Sequence, residues 1–227
     1  TQWEVSRHDQ DVFAYESQLK YENAHNQQRF ADELIPVEVD LGKGKKLMFE
    51  KDEHPRLTSI EKLGELKPVF AKEGTVTAAN ASGINDGAAA MLLASEAAVK
   101  KYDLTPMASI KSMAIAGVDP SIMGIGPIPA TEKALQRAGL SISDIGLIEL
   151  NEAFASQSLA CIRSLNIDIQ KVNVNGGAIA LGHPLGCSGV RISTTLLHEM
   201  KKRKVRYGLA TMCVGVGQGA AIIYDNI

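Results

Sequence analysis

The chain has 227 residues, of which 45% are hydrophobic and 22% charged, and its formal net charge is −2. This length and composition predict one large or two small folded domains and exclude a disordered or collagen-like chain. The near-neutral charge argues against nucleic acid or a membrane as the main partner, and the apolar stretches are broken by Gly or charge before they reach the length of a membrane span.

The cysteines are odd in number and widely spaced, at Cys161, Cys187 and Cys213. This usage argues against a disulfide framework and favours a reducing compartment. We therefore expect a cytoplasmic location. An organellar location stays open, because the sequence begins at Thr1 and does not display a native N-terminus.

The first half of the chain predicts a helix followed by loop-rich structure. The helix begins in a capping pattern at Ser6 and extends to about residue 26, with Val12, Tyr15 and Leu19 on its apolar stripe. The following predicted segments are an extended stretch at 34–39, a Lys/Gly turn at 42–46, a polar loop at 52–56 and an Ala-rich helix at about 88–101.

From about residue 107 strands and helices alternate, which predicts an α/β fold. We expect a mostly parallel sheet covered on both faces by helices, with the last two strands as an antiparallel hairpin. The predicted strands are 109–117, 145–150, 172–174, 208–214 and 220–224, and the predicted helices are 129–138, ended by Gly139, 153–165 and 188–202.

Glycine-rich segments are the first candidates for ligand binding. The run Gly215–Gly219 leads into a predicted strand and has the wrong spacing for a dinucleotide fingerprint, and no Gly-Lys-Ser/Thr sequence forms a phosphate loop. The segment Asn175–Gly189 differs from both, because five glycines and Pro184 surround His183. Such a segment can hold an imidazole at a strand-to-helix junction.

Three polar side chains fall at or beside the ends of predicted strands: Asn151, His183 and Cys213. Ligands of layered α/β folds bind at the carboxyl ends of strands, which favours a site there. His183 alone could equally be an ordinary loop histidine. The glycines that follow Cys213 leave its sulfur unobstructed, a clearance that a core cysteine would not need.

Four segments together resemble the motifs of the thiolases, a family of acyl-CoA acyltransferases. They are Asn80–Ala88 (NASGINDGA), Asn151–Phe154 (NEAF), Asn175–Gly189 (NGGAIALGHPLGCSG) and Cys213–Gly217 (CVGVG). The resemblance spans essentially the whole chain and implies a thiolase-like layered α/β/α/β/α fold. It implies part of the loop domain in residues 1–85, the last helix of the N-terminal core half in 86–106 and the C-terminal domain in 107–227.

The resemblance also implies roles for individual residues. His183 corresponds to the base that deprotonates the nucleophilic cysteine, and Cys213 to the acid/base that removes a proton from the α-carbon of the second acyl-CoA. Asn151 corresponds to the residue that positions a water in one oxyanion hole, and the Gly215 N–H to a donor of the second hole. We expect Cys213 to be partly ionised near neutral pH and more reactive than Cys161.

The same resemblance implies binding residues for coenzyme A. Ser82 matches the serine that contacts the pantetheine arm, and Phe154 and Phe70 match walls of the pantetheine tunnel. Arg56 is a candidate for the nucleotide end, although no motif fixes its loop. No metal and no cofactor are expected beyond the coenzyme A thioester, which is the substrate.

The main departure from the family is the nucleophile. Thiolases carry the acyl-accepting cysteine in an N-terminal half that we expect to be missing from this chain. Cys187 lies only four residues after His183, where the family has small residues, and is interpreted as a small packed thiol. Cys161 lies on an apolar helix stripe and is interpreted as core.

We therefore predict the C-terminal part of an acetyl-CoA acetyltransferase, which catalyses the Claisen condensation of two acetyl-CoA molecules or the thiolytic reverse. This chain alone should be inactive without the missing half, and the complete enzyme should be a homo-oligomer. A ketoacyl synthase is disfavoured because such enzymes lack a second catalytic cysteine equivalent to Cys213. The alternative outside enzymes is a non-catalytic acyl-CoA-binding or scaffold module.

Overall fold

The computed structural model describes residues 3–227. Helix α1 (Arg7–Asn26) begins as predicted, because the Ser6 side chain accepts a hydrogen bond from the Asp9 amide. Its buried face differs from the predicted stripe. Phe13 and Ala14 are buried together with several polar residues, whereas Val12, Tyr15 and Leu19 are only half-buried. The buried polar residues explain the difference, since they hydrogen-bond to other segments of the chain.

A two-stranded hairpin and a short helix follow α1. Strands β1 (Val37–Gly42) and β2 (Lys45–Phe49) pair antiparallel at the predicted Lys/Gly turn, and every residue of both strands is exposed. Helix α2 (Ile60–Gly64) was not predicted. The Arg7 guanidinium fastens it to α1 by donating to the Leu63 carbonyl at 2.8 Å.

The predicted helix at 88–101 is wrong for most of its length. Only α3 (Glu96–Lys101) is helical, capped by the Ser95 side chain, and residues 87–95 are irregular. Leu92 and Leu93 in the irregular part are 78% and 71% exposed. Short helices are marginal in water without tertiary packing, and this segment has little of it in the described chain.

A four-stranded sheet organises the second half. Its strands are β3 (Ala108–Gly117), β4 (Leu147–Leu150), β5 (Tyr207–Val214) and β6 (Gln218–Asn226), in the order β3-β6-β5-β4. Among these four strands of the described residues, β4 and β5 form the one parallel pair, so the prediction of a mostly parallel sheet was wrong. The reason is that β6 returns from a tight turn and pairs with both β5 and β3. The strand predicted at 172–174 is reduced to one bridge between Val172 and Ile148.

Helices cover both faces of this sheet, as predicted. Helices α4 (Pro127–Ala138) and α5 (Ala155–Ser164) lie on one face, and α7 (Ser188–Arg203) lies on the other. Successive residues of β5 alternate between the two layers, since Leu209 joins the α4/α5 core and Ala210 the α7 core. Gly139 ends α4 in the left-handed conformation with φ +67°.

Part of the α7 face of the sheet is uncovered. Met113 and Ile115 of β3 are 63% and 74% exposed, and a groove of about 390 Å³ separates β3 from α7. Large exposed apolar side chains grouped on one surface are typical of an interface. Among residues 3–227, no helix is both long and apolar enough to cross a bilayer.

Candidate active site

The loop that connects the four-residue helix α6 (Ala178–Leu181) to α7 places His183 against the end of β4. Asn151, which directly follows β4 and is 1% exposed, lies with Nδ2 3.2 Å from Nε2 of His183. On the opposite edge of the imidazole, Nδ1 lies 2.6 Å from the Ser188 hydroxyl oxygen. The structure therefore brings the predicted histidine and asparagine into direct contact and adds Ser188, which the sequence did not single out.

Backbone contacts hold the same histidine from a distant part of the chain. The His183 amide donates to the Gly83 carbonyl at 3.1 Å and faces the Asn85 side-chain oxygen at 3.3 Å. The Asn85 amide nitrogen in turn lies 3.3 Å from Nδ1 of His54. Thus the Asn80–Ala88 motif supports the loop that contains His183. His54 also contacts the site, although the sequence predicted only a polar loop at 52–56.

Glu152 is the buried anchor behind Asn151. Its carboxylate accepts hydrogen bonds from the Ser17 hydroxyl at 2.7 Å, the Asn173 amide at 2.7 Å and the Ile179 backbone N–H at 3.0 Å. A Cβ on Gly177 would overlap this carboxylate, so the close approach requires glycine there. Burial raises the pKa of Glu152, and the hydrogen bonds oppose that rise.

A second buried carboxylate lies on β4 itself. Glu149 is 3% exposed, and its Oε2 is 3.8 Å from Nη1 of Arg191, without a hydrogen-bond partner among residues 3–227. Burial raises the pKa of Glu149 to about 8, although the Arg191 charge acts in the other direction. Arg191 also acts on the imidazole: burial first, and then this cation, lowers the pKa of His183. His183 is therefore neutral at pH 7 and can accept a proton.

Cys213 lies in β5 at the same end of the sheet. The Asn151 amide donates to the carbonyl of Thr211, two residues before Cys213, at 3.0 Å. Within residues 3–227, however, no hydrogen bond joins Cys213 to His183 or Asn151. Burial raises the pKa of the Cys213 thiol to about 11, so the expectation of a partly ionised thiol near neutral pH is wrong.

The turn after Cys213 is exposed and strained. Gly215 lies in open space: apart from its chain neighbours, no described residue has an atom within 4 Å of the position of an added Cβ. The next residue, Val216, has φ +65°, which is a strained conformation for a β-branched residue. Gly217 continues the turn at φ +81°, where a Cβ would overlap the Val118 carbonyl. The turn therefore presents the Gly215 backbone to solvent.

The predicted binding residues form two groups. Ser82 hydrogen-bonds to the Ala153 carbonyl through both its amide and its hydroxyl, at 3.1 and 3.3 Å, which joins it to the NEAF segment. Phe70 and Phe154 form an edge-to-face pair with ring centroids 5.9 Å apart. Phe70 is 73% exposed, so the pair forms a surface wall.

Arg56 belongs to a separate cavity of about 400 Å³ between α1 and α2. Its guanidinium donates to the Ala78 carbonyl at 2.9 Å, and its amide donates to the Gln18 side chain at 2.9 Å. Lys62 lines the same cavity. Within the described part of the chain, the lining of this cavity therefore includes two cations and does not include His183.

All three cysteines are free thiols. Cys161 is fully buried, as predicted for a core residue, and burial raises its pKa to about 12. Cys187 is half-buried at the start of α7, and burial also raises its pKa.

Family profiles match nearly all of the chain. The profile "Thiolase, N-terminal domain" matches residues 1–97, and "Thiolase, C-terminal domain" matches residues 104–226. The chain belongs to the thiolase family. The expectation that the N-terminal half is missing is not confirmed in that form, because residues 1–97 match the N-terminal profile.

Curated relatives and solved structures agree with this assignment. The chain is 56% identical over 228 residues to a β-ketoadipyl-CoA thiolase of Pseudomonas aeruginosa, covering 99% of this chain and 57% of that protein. It is 53% identical over 224 residues to a mitochondrial 3-ketoacyl-CoA thiolase of Bos taurus, covering 98% and 56%. The crystal structure of a Bacillus anthracis acetyl-CoA acetyltransferase matches with a TM-score of 0.97 and 46% identity, covering 100% and 57%.

Two conclusions follow from these comparisons. The fold is that of solved thiolases. The chain spans a little over half the length of the relatives it matches.

Proposed function

We propose that this chain is the part of an acetyl-CoA acetyltransferase that carries the proton-transfer groups of a Claisen condensation or its thiolytic reverse. The observation that carries the proposal is the 3.2 Å contact between Asn151 and the neutral His183 imidazole, at the sheet end where Cys213 also lies. Relatives named acetyl-CoA acetyltransferase support the reaction class.

In this proposal the two titratable groups have separate tasks. His183 is the base for an attacking cysteine thiol, and its lowered pKa keeps it unprotonated at pH 7. Cys213 exchanges a proton with the α-carbon of the acyl group, and Asn151 and Gly215 stabilise the thioester oxygens. The acyl-accepting cysteine comes from outside these 227 residues, since Cys161 is buried core and Cys187 starts a helix.

The substrate is a short-chain acyl-CoA in this proposal. Ser82 and the Phe70–Phe154 pair bind the pantetheine arm, and Arg56 binds at the nucleotide end. The same proposal divides the chain into residues 1–85, 86–106 and 107–227. It also includes a homo-oligomeric complete enzyme. The reducing compartment also stays a prediction.

A non-catalytic acyl-CoA-binding module is the second candidate. The burial of Cys213, which is 3% exposed, favours it, because burial raises the pKa of the thiol to about 11 and leaves little thiolate at pH 7. The two candidates differ in whether Cys213 removes a proton from bound acetyl-CoA, a step that needs no acyl-accepting cysteine.

The test is proton exchange at the acetyl-CoA methyl group in D₂O, followed by NMR with the purified 227-residue chain. A thiolate at Cys213 removes a methyl proton to leave the enolate, the thiol exchanges with solvent, and a deuteron returns to carbon. Because the thiol pKa is about 11, the exchange rate should rise about tenfold per pH unit between pH 7 and 9.

Two matched variants interpret the result. Cys213→Ala should abolish the exchange above the solvent background, whereas Cys161→Ala, which removes the other buried thiol, should retain it. Exchange that survives Cys213→Ala would refute the role of this cysteine. Acetyl-CoA binding without any exchange would establish the non-catalytic module instead.

A further inference from the structure

The contacts of the His183 ring determine which nitrogen carries its proton. A neutral imidazole has one N–H donor and one acceptor nitrogen. Nε2 lies 3.2 Å from Asn151 Nδ2, and Nδ1 lies 2.6 Å from the Ser188 hydroxyl oxygen. The Ser188 hydroxyl also donates to the Pro184 carbonyl at 2.9 Å.

With the Asn151 amide nitrogen turned toward the imidazole, as in the structure, one arrangement of protons satisfies all three contacts. An amide nitrogen can only donate, so Nε2 must present its lone pair to Asn151 and the proton must be on Nδ1. Ser188 accepts that proton in a hydrogen bond, and its own single hydroxyl proton points to Pro184. In the reverse tautomer two N–H donors would face each other at Asn151, and the Ser188 hydroxyl would have to leave Pro184.

The Ser188 hydroxyl is held firmly in this orientation. The residue is 1% exposed and begins α7, and its own amide donates to the Pro184 carbonyl at 2.9 Å. The side chain is thus fixed by the same carbonyl that receives its proton.

We propose that Ser188 is a positioning residue that fixes the Nδ1–H tautomer of His183 and so keeps the Nε2 lone pair available as the base. This inference rests on the proposed role of His183 as the base. The hydrogen bond made by one ring nitrogen sets the protonation of the other, which is why a buried serine can control the reactive atom.

The tautomer can be read directly from ¹⁵N chemical shifts. The chain, with its five histidines labelled, is studied by long-range ¹H–¹⁵N correlation at pH 8, where His183 is neutral. The His183 signals are assigned by their loss in His183→Gln. We expect Nδ1 to have the shift of a protonated nitrogen and Nε2 that of an unprotonated one. The opposite pattern in the unmodified chain would overturn the proposal, and this measurement needs no variant at Ser188.

Variants then assign the effect to Ser188. Ser188→Ala should move the two His183 shifts toward each other as a tautomer mixture forms, and Ser188→Thr should restore the unmixed pattern because it keeps a hydroxyl. Ser193→Ala removes another buried hydroxyl of α7 and should change nothing at His183. An unmixed Nδ1–H pattern in Ser188→Ala would remove Ser188 from this role. If methyl exchange is absent while His183 keeps the Nδ1–H tautomer, the result contradicts the proposed function but not the role of Ser188.

Discussion

Replacement of Glu149 by Gln should change how stability depends on pH. The folded-state pKa of Glu149 is raised to about 8 from an ordinary value of 4.5, chiefly by burial. Between these pH values the unfolded chain ionises this group while the folded chain keeps it protonated, so stability falls as pH rises. One proton corresponds to about 1.4 kcal/mol per pH unit, or about 3 kcal/mol between pH 5 and 7. Glu149→Gln, which stays neutral, removes that contribution.

The assay is urea unfolding followed by circular dichroism at pH 5, 6 and 7. Glu199→Gln is the matched control, because Glu199 is also buried at 2% exposure. Burial raises the pKa of Glu199, but hydrogen bonds from Arg203, Arg29 and Asn175 outweigh it and lower the pKa. Glu199→Gln should therefore be less stable than the unmodified chain by the same amount at pH 5, 6 and 7. Parallel curves for the unmodified chain and Glu149→Gln would refute the reasoning.

Two further predictions concern packing and assembly. Gly219→Ala should destabilise the chain by about 1–3 kcal/mol in thermal or urea unfolding, because the new Cβ would overlap the backbone of Gly126. At Gly186 no described residue other than the chain neighbours has an atom within 4 Å of an added Cβ. Gly186→Ala should therefore change the free energy of unfolding by less than about 0.5 kcal/mol, and equal effects of the two substitutions would contradict this account. The exposed face of β3 should cause concentration-dependent self-association in size-exclusion chromatography, and Ile115→Lys should shift the chain toward monomer. A monodisperse unmodified monomer at all concentrations would be evidence against that interface.

The parts of the fold that sequence predicted best are those with local signals. The Ser6 cap, the Gly139 stop and the β5–β6 hairpin each depend on residues close together in the chain, and each is observed. The pairing of β3 with β6 was missed because it joins residues more than 100 positions apart. The helix predicted at 88–101 was wrong because its apolar side chains lack a covering layer in the described chain.

In the candidate site, too, the features with local sequence signals were predicted and those that depend on tertiary contacts were not. The motifs predicted His183 and Asn151 as a pair, and the structure joins them. Ser188 lies inside a motif, but its role follows only from a proton count that needs the positions of three partners. The raised pKa of Cys213 was missed because it depends on burial, which the neighbouring glycines suggested to be low.

The anchor at Glu152 has a consequence for how the site forms. Its donors come from Ser17, 135 positions earlier, and from Asn173, 21 positions later, so the carboxylate is satisfied only after α1 has docked on the α/β layers. An early folding intermediate that lacked α1 would contain a desolvated acid with an incomplete set of donors, which is energetically unfavourable. We therefore expect the geometry of the candidate site to form late and cooperatively, because it requires the contact between residues 17 and 152, which lie 135 positions apart.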